Sequence, residues 1–187
     1  MDTYVAMLRS INVGGRNRLS MADLRDLVTS LGFGDVATYL QSGNVIFTGS
    51  GTPGDVARVI AGGLDADLGL TVPVIVRSTA DLQRTVDTNP LVDLEEDPKK
   101  LHVTFLADPP DAGRLAALAG LVGTFGDDRV RVVGPDVFLH CPGGYGRTML
   151  NNAFFERKLG TTATTRNWRT VCTLAVVAGI ATTPLET

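Results

Sequence analysis

Tryptophan occurs once, histidine twice and cysteine twice in the 187 residues, and aromatic residues make up only 6% of them. Each scarcity excludes something. Cys141 and Cys172 lack ligand spacing, so they give neither a disulfide framework nor a zinc site. A chain of this length buries about 70% of its unfolded surface and needs no such staple. The longest apolar run, Leu174 to Ala181, falls far short of the roughly 20 residues of a membrane helix. Met1-Asp2 leads straight into a strand-like run, without a basic start or an apolar signal core. These absences predict a cytoplasmic protein with no membrane association, no metal and no cofactor.

Charge is neither abundant nor even. The formal net charge is −3, which as a whole repels nucleic acid. Residues 51–146 carry fourteen acids against eight bases, or −6, whereas residues 147–187 carry five bases against two acids, or +3. Arginine outnumbers lysine fourteen to three. Arginine suits bidentate contacts with oxyanions, although a GC-rich genome produces the same bias.

What is present follows an alternating plan. Thr3–Arg9 is apolar and partly β-branched, as a buried strand requires. Ser20 to Asp23 opens a capped helix, with Met21, Leu24, Leu27, Val28 and Leu31 at helical spacing. Val36–Gln41 and Asn44–Thr48 flank Ser42-Gly43 as a hairpin, and Thr52-Pro53 starts a second helix. Pro73–Arg77 closes a βαββαβ order, the ferredoxin-like plan. After a helix over Thr79–Asn89 and an acidic linker, Leu101–Ala107 is a strand. A helix with Leu115, Leu118 and Val122 inward follows, and Arg129–Val133 and Asp136–Cys141 form a second hairpin. Two helices, near Thr148–Leu159 and Thr165–Gly179, stand where a last strand should come. The expectation is an α+β fold of two ferredoxin-like halves in tandem, residues 1–90 and 98–187, the second ending in two helices.

Some motifs are declined. Gly49 to Gly54 matches G-x-G-x-x-G, but the strand before it is the second arm of a hairpin, and the strand after it ends in arginine. In this plan the strands of His102 and His140 are parallel neighbours, which would place the two rings over about 10 Å apart. Cys141 and His140 point to opposite faces of one strand and form no dyad. Gly143 to Arg147 matches part of the RNA-recognition motif but falls after its strand rather than within it.

Three polar stretches remain. Arg9 to Arg18 is longer than a strand-to-helix turn needs. Its Gly14 and Gly15 allow close ligand approach to backbone N–H groups, Asn12 and Asn17 offer donors and acceptors, and Arg9, Arg16 and Arg18 offer positive charge. Such a combination suits an oxyanion near a helix N-terminus. In Thr161 to Arg169, a threonine cap would leave Arg166, Asn167 and Arg169 in a helix's first turn, against its dipole, at a cost that a bound anion offsets. Trp168 reads as core. In the third stretch, Tyr145, Arg147, Asn151 and Asn152 stand beside Met149, Leu150, Ala153 and Phe154, which face inward.

The segments LRSINVGGRNRLSMADLRDL, YLQSGNVIFTG, LHVTFL and GYGRTMLNNAFFERKLGTTATTRNW together resemble the DUF1697 family, bacterial proteins of unknown function. Ser10 and Arg169 depart from the family's usual glycine and asparagine. The resemblance implies recurrent polar positions at Asn12, Gly14, Gly15, Asn17, Gln41, Ser42, Asn44, Tyr145, Arg147, Arg166 and Asn167, and names no activity. In a ferredoxin-like unit, the loop after the first strand and the first hairpin turn are expected at opposite ends of the sheet. Gln41 to Asn44 would then share no pocket with Asn12 to Asn17.

The resulting expectation is a small phosphorylated or carboxylated ligand, held by those residues with Arg9 and Asn152. Single-stranded nucleic acid and a dimerisation role are the alternatives.

Overall fold

The computed structural model describes residues 1–15, 17–121 and 123–181. Arg16 and Val122, singled out above, lie outside the described residues. The chain forms two compact units, Met1–Gln83 with Leu174–Ala181, and Arg84–Thr173.

The first unit runs β1 (Asp2–Leu8), α1 (Met21–Ser30), β2 (Gly34–Tyr39), β3 (Asn44–Gly49), α2 (Pro53–Leu68) and β4 (Val74–Ser78). Helix α1 starts where its cap dictates, with Ser20 Oγ accepting from the Asp23 N–H at 3.0 Å. Thr52 caps α2 in the same way, Pro53 fills its first turn, and Gly69 ends it in the left-handed conformation. The G-x-G-x-x-G stretch is thus a loop that ends a strand and caps a helix. The sheet order is β2-β3-β1-β4, and the pairs β1–β3, β1–β4 and β2–β3 are all antiparallel. Leu24, Leu27 and Val28 of α1 and Val56, Ile60 and Leu64 of α2 pack on Tyr4, Ala6, Leu8 and Phe47 of the sheet. Each such large side chain contributes about 1.5–3 kcal/mol on burial.

The second unit contains β5 (Leu101–Leu106), α4 (Ala112–Ala119), β6 (Arg129–Val133), β7 (Asp136–His140), α5 (Asn152–Leu159) and β8 (Ala163–Asn167). Helix α3 (Thr79–Asp87) precedes this set and α6 (Trp168–Val177) follows it. The sheet order is β6-β7-β5-β8, again antiparallel throughout. Its core joins Leu106, Leu118, Val137, Leu139, Phe154, Phe155 and Leu159.

Four expectations are corrected. A strand, β8, occupies the threonine-rich run between the two expected helices, so the second half ends in a strand and one helix, α6, rather than in two helices. Residues 163–167 pair with β5 from Leu106↔Ala163 to His102↔Asn167, and that long-range pairing overrides the local cap signal. Second, β5 and β7 are antiparallel, with His102 opposite Leu139 and Leu101 opposite His140. The histidines are therefore one position apart in register but on opposite faces. Third, α5 begins only at Asn152, which leaves Met149 and Ala153 exposed while Leu150 and Phe154 are buried.

The fourth correction concerns the first unit. Because β1 is antiparallel to β3, with Met7 opposite Asn44, the end of β1 lies beside the turn that precedes β3. The loop Arg9 to Leu19 and the hairpin tip Leu40–Gly43 therefore meet at one end of the sheet.

Candidate functional site

That meeting is tightly built. The Leu8 N–H donates to the Gly43 carbonyl at 2.8 Å. A Cβ added at Gly43, whose φ is +73°, would come within 2.9 Å of Leu8 Cβ and 3.1 Å of Ile11 Cγ1, so only glycine fits the tip. Asn12 Nδ2 donates to the carbonyls of Leu19 and Gln41, each at 2.8 Å, and its Oδ1 accepts from the Leu19 N–H at 3.0 Å. Asn17 Nδ2 donates to the Ser10 carbonyl at 3.1 Å. Asn44, fully buried, donates to the Tyr39 carbonyl and to Ser42 Oγ, both at 2.9 Å. All three asparagine amides thus hold backbone and neighbouring side chains in place.

The backbone carries strain here. Ser10, Asn12, Asn17 and Leu40 all have φ between 48° and 58°, the left-handed region, in addition to Gly14 and Gly15. For leucine this is a clear outlier. The pinned loop, the start of α1 and the hairpin tip enclose an open hollow of about 580 Å³, lined by Asn12, Gly15, Arg18, Leu19, Ser20, Asp23 and Gln41. Gly14 and Gly15 face open space. Arg18 and Gln41 are exposed, whereas Arg9 is half-buried with its N–H on the Pro73 carbonyl. Ser20 and Asp23 were read from the sequence only as a helix cap, and that cap signal also marked where the wall of the hollow begins.

The second unit gathers the remaining residues on its own sheet. Tyr145 lies in a short 3-10 turn, Tyr145–Arg147, and stacks on His102 at 4.6 Å between ring centroids. Thr104 Oγ1 and Thr165 Oγ1 are 2.7 Å apart, and Thr165 Oγ1 also donates to Asn152 Oδ1 at 2.6 Å. Asn167 Oδ1 accepts from the Thr170 N–H at 2.8 Å and caps α6. Arg147 is exposed.

Arg166 is in β8, not in a helix's first turn. It is 8% exposed and donates to Thr164 Oγ1 and to the Thr165 carbonyl, both at 2.9 Å. Burial lowers its pKa to about 10, opposed by nearby Tyr145. Trp168 is core at 3% exposure.

Ionisable groups in this unit are poorly suited to covalent chemistry. Burial pushes Cys141 up to about 12 and Cys172 up to about 11, so neither provides a thiolate near neutrality. Burial also lowers the pKa of His102, partly offset by a hydrogen bond with the Lys100 backbone. His140 instead faces Glu95 at 3.3 Å. Among the described residues no group of three or more His, Cys, Asp or Glu side chains could hold a metal. No helix there is long and apolar enough to cross a membrane.

Residues 1–138 match the family described as "Protein of unknown function (DUF1697)". The chain belongs to the DUF1697 family. Among solved structures it is similar to the conserved bacterial protein SP0830 from Streptococcus pneumoniae, at 21% identity and a TM-score of 0.75, over 95% of this chain and 98% of that one. At that identity the likeness shows the fold alone. Comparison with functionally curated proteins gives no match. The DUF1697 match takes in the loop cluster of the first unit and stops before Tyr145, Arg147, Asn152, Arg166 and Asn167.

Proposed function

We propose that this DUF1697 protein binds a small anionic ligand, phosphorylated or carboxylated, in the hollow at the end of the first unit's sheet. The observation that supports the reading is the strained and pinned loop. Four non-glycine residues hold left-handed conformations there, each at a cost of order 1 kcal/mol or more. Ser10, Asn12 and Asn17 lie between β1 and α1 and Leu40 in the turn between β2 and β3, and such strain concentrates where a backbone is pre-set for a ligand. The Gly14-Gly15 backbone faces open space and Arg18 lines the wall, which provides N–H donors and a guanidinium for an oxyanion. The asparagines Asn12, Asn17 and Asn44 act in this reading as the frame, and Gln41 and Ser42 as the rim. Asp23, on the same wall, favours a ligand that also carries hydroxyl or amino donors, as a sugar phosphate or an amino acid does.

In the second unit, exposed Arg147 beside Tyr145 is the group proposed to meet a ligand, while Asn152, Arg166 and Asn167 hold that face in place. The shared strand orders β2-β3-β1-β4 and β6-β7-β5-β8 support reading the units as tandem ferredoxin-like halves, residues 1–90 and 98–187, of a bacterial cytoplasmic protein. No observation favours single-stranded nucleic acid over the small ligand, since Tyr145 is stacked on His102 and Arg166 is buried.

The test is a thermal-shift series with phosphate, sugar phosphates, carboxylates and amino acids on the parent and on Arg18→Ala. A ligand at about 100 times its Kd stabilises by roughly 2.7 kcal/mol. The expected result is a shift in the parent that shrinks in the variant. Equal shifts in both proteins, or none in either, would overturn the reading.

A further inference from the structure

Helix α4 is unusual among the helices for what it leaves uncovered. Only Leu118 of its eight residues is buried, whereas α1 and α2 bury four each. Ala112, Ala116, Ala117 and Ala119 are exposed and Leu115 is half-buried. Beside α4 runs β6, an edge strand of its sheet. Between them lies a hollow of about 350 Å³, lined by Leu115, Leu118, Ala119, Val130, Arg131 and Val132. The Arg131 guanidinium donates to the Val130 carbonyl at 2.8 Å and has no carboxylate partner among the described residues. That bond occupies a main-chain acceptor of β6, so an incoming chain meets side chains there rather than adding as a strand.

The same unit carries the complementary surface. Val92 and Leu94, in the 3-10 turn Val92–Leu94, are 40% and 56% exposed. Asp93 and Glu96 are exposed beside them, and their side chains make no hydrogen bond or ion pair among the described residues. In its own unit this segment borders a separate hollow with Leu101 and Trp168 and does not line the groove. Glu95, held by Lys100 at 3.2 Å and His140 at 3.3 Å, fixes the segment's base and leaves its two neighbours outward.

We infer that the groove between α4 and β6 receives the Val92–Glu96 segment of a second copy of this chain. Val92 and Leu94 would cover the apolar floor, and Asp93 and Glu96 would meet Arg131. Charge complementarity selects this occupant: a guanidinium without a carboxylate partner at the edge of an apolar floor complements a segment in which the exposed apolar side chains Val92 and Leu94 are interspersed with the unpaired carboxylates Asp93 and Glu96. Because every copy carries both surfaces, a closed two-fold pair makes the contact twice. Doubling is how so narrow a groove approaches the roughly 1,000 Å² that a stable interface needs. This inference is independent of the proposed ligand, which concerns the first unit.

The experiment measures mass by sedimentation equilibrium over roughly a hundredfold range of concentration, on the full chain and two charge-reversed variants. One variant is Arg131→Glu, and the other combines Asp93→Arg with Glu96→Arg. The parent is expected to dimerise, and each variant alone to dimerise at least about tenfold more weakly, since like charges then face each other. Mixed together, the two variants should restore the dimer, because both contacts of the mixed pair are again of opposite charge. All the altered side chains are at the surface, and far-ultraviolet circular dichroism of each variant verifies its fold. A parent that stays monomeric throughout overturns the inference. So does a dimer indifferent to both variants, or a mixture that recovers nothing.

Discussion

Asn12 Nδ2 reaches the Gln41 carbonyl at 2.8 Å across 29 positions of sequence, and the same side chain exchanges two hydrogen bonds with the backbone of Leu19. One amide thereby ties the end of the first strand, the start of α1 and the hairpin tip together. Its replacement by alanine leaves the Leu19 N–H and two carbonyls to find water. Asn12→Ala is expected to destabilise the first unit by about 1–3 kcal/mol. Asn12→Asp should do no better, because a carboxylate can still accept from Leu19 but cannot donate to either carbonyl. Hydrogen exchange checks this locally: the Leu19 amide should exchange faster in Asn12→Ala than in the parent. If that rate is unchanged, Asn12 does not hold the loop.

His102 gives the second unit a pH dependence of definite sign. Burial lowers its pKa below the ordinary 6.5. Between the two values the unfolded chain binds more protons than the folded one, so stability rises with pH there. The penalty is absent above about 6.5, develops as pH falls through that value, and is complete below the folded-state pKa. His102→Gln should remove this slope, although it also loses the stack on Tyr145. Urea unfolding at a series of pH values between 7.5 and 5, roughly the range in which histidine titrates, compares the two proteins. A parent whose stability is flat over that window would rule out a buried neutral imidazole. Asp55 and Glu95, whose pKa values are lowered chiefly by hydrogen bonds from Thr52 and from the Asp97 N–H, contribute stability that is fully present above the ordinary carboxylate range and is lost only as pH falls below it, outside this window.

Local chemistry was the most legible part of the sequence. Ser20 and Thr52 cap the helices they were expected to cap, because a cap is settled within four residues. The second hairpin was placed almost to the residue, since Gly134-Pro135 leaves little choice. What escaped was set by distant partners. Thr164 and Thr165 look like caps in isolation, yet they are strand residues once β5 lies beside them. Arg166 looks like a free cation for the same reason, and only the paired sheet reveals it as buried. Asn12 and Asn44 looked like ligand groups because an amide that binds a carbonyl of its own chain is indistinguishable in sequence from one that binds a substrate. The end of the sheet at which the hairpin tip lies followed from strand direction alone, and was misread.

The corrected start of α6 changes which arginine opposes its dipole. Asn167 caps the helix, so Trp168, Arg169 and Thr170 form its first turn, and Arg169 is the single basic residue there. It is exposed, so its charge can be altered without disturbing the core. A cation at that terminus costs a few tenths of a kcal/mol to about 1 kcal/mol, and an anion gains about as much. Arg169→Glu is therefore expected to stabilise the protein by about 0.5–1.5 kcal/mol at low salt, with Arg169→Gln about half as effective. The gain should shrink as salt is raised, because a surface charge near a helix end is screened. Removing the cap instead, in Asn167→Ala, should cost about 0.5–2 kcal/mol with little dependence on salt. Thermal unfolding of the three variants at low and high salt separates the two effects. If Arg169→Glu destabilises the protein, Arg169 makes a contact that outweighs the dipole, and a bound anion at this terminus becomes the natural explanation.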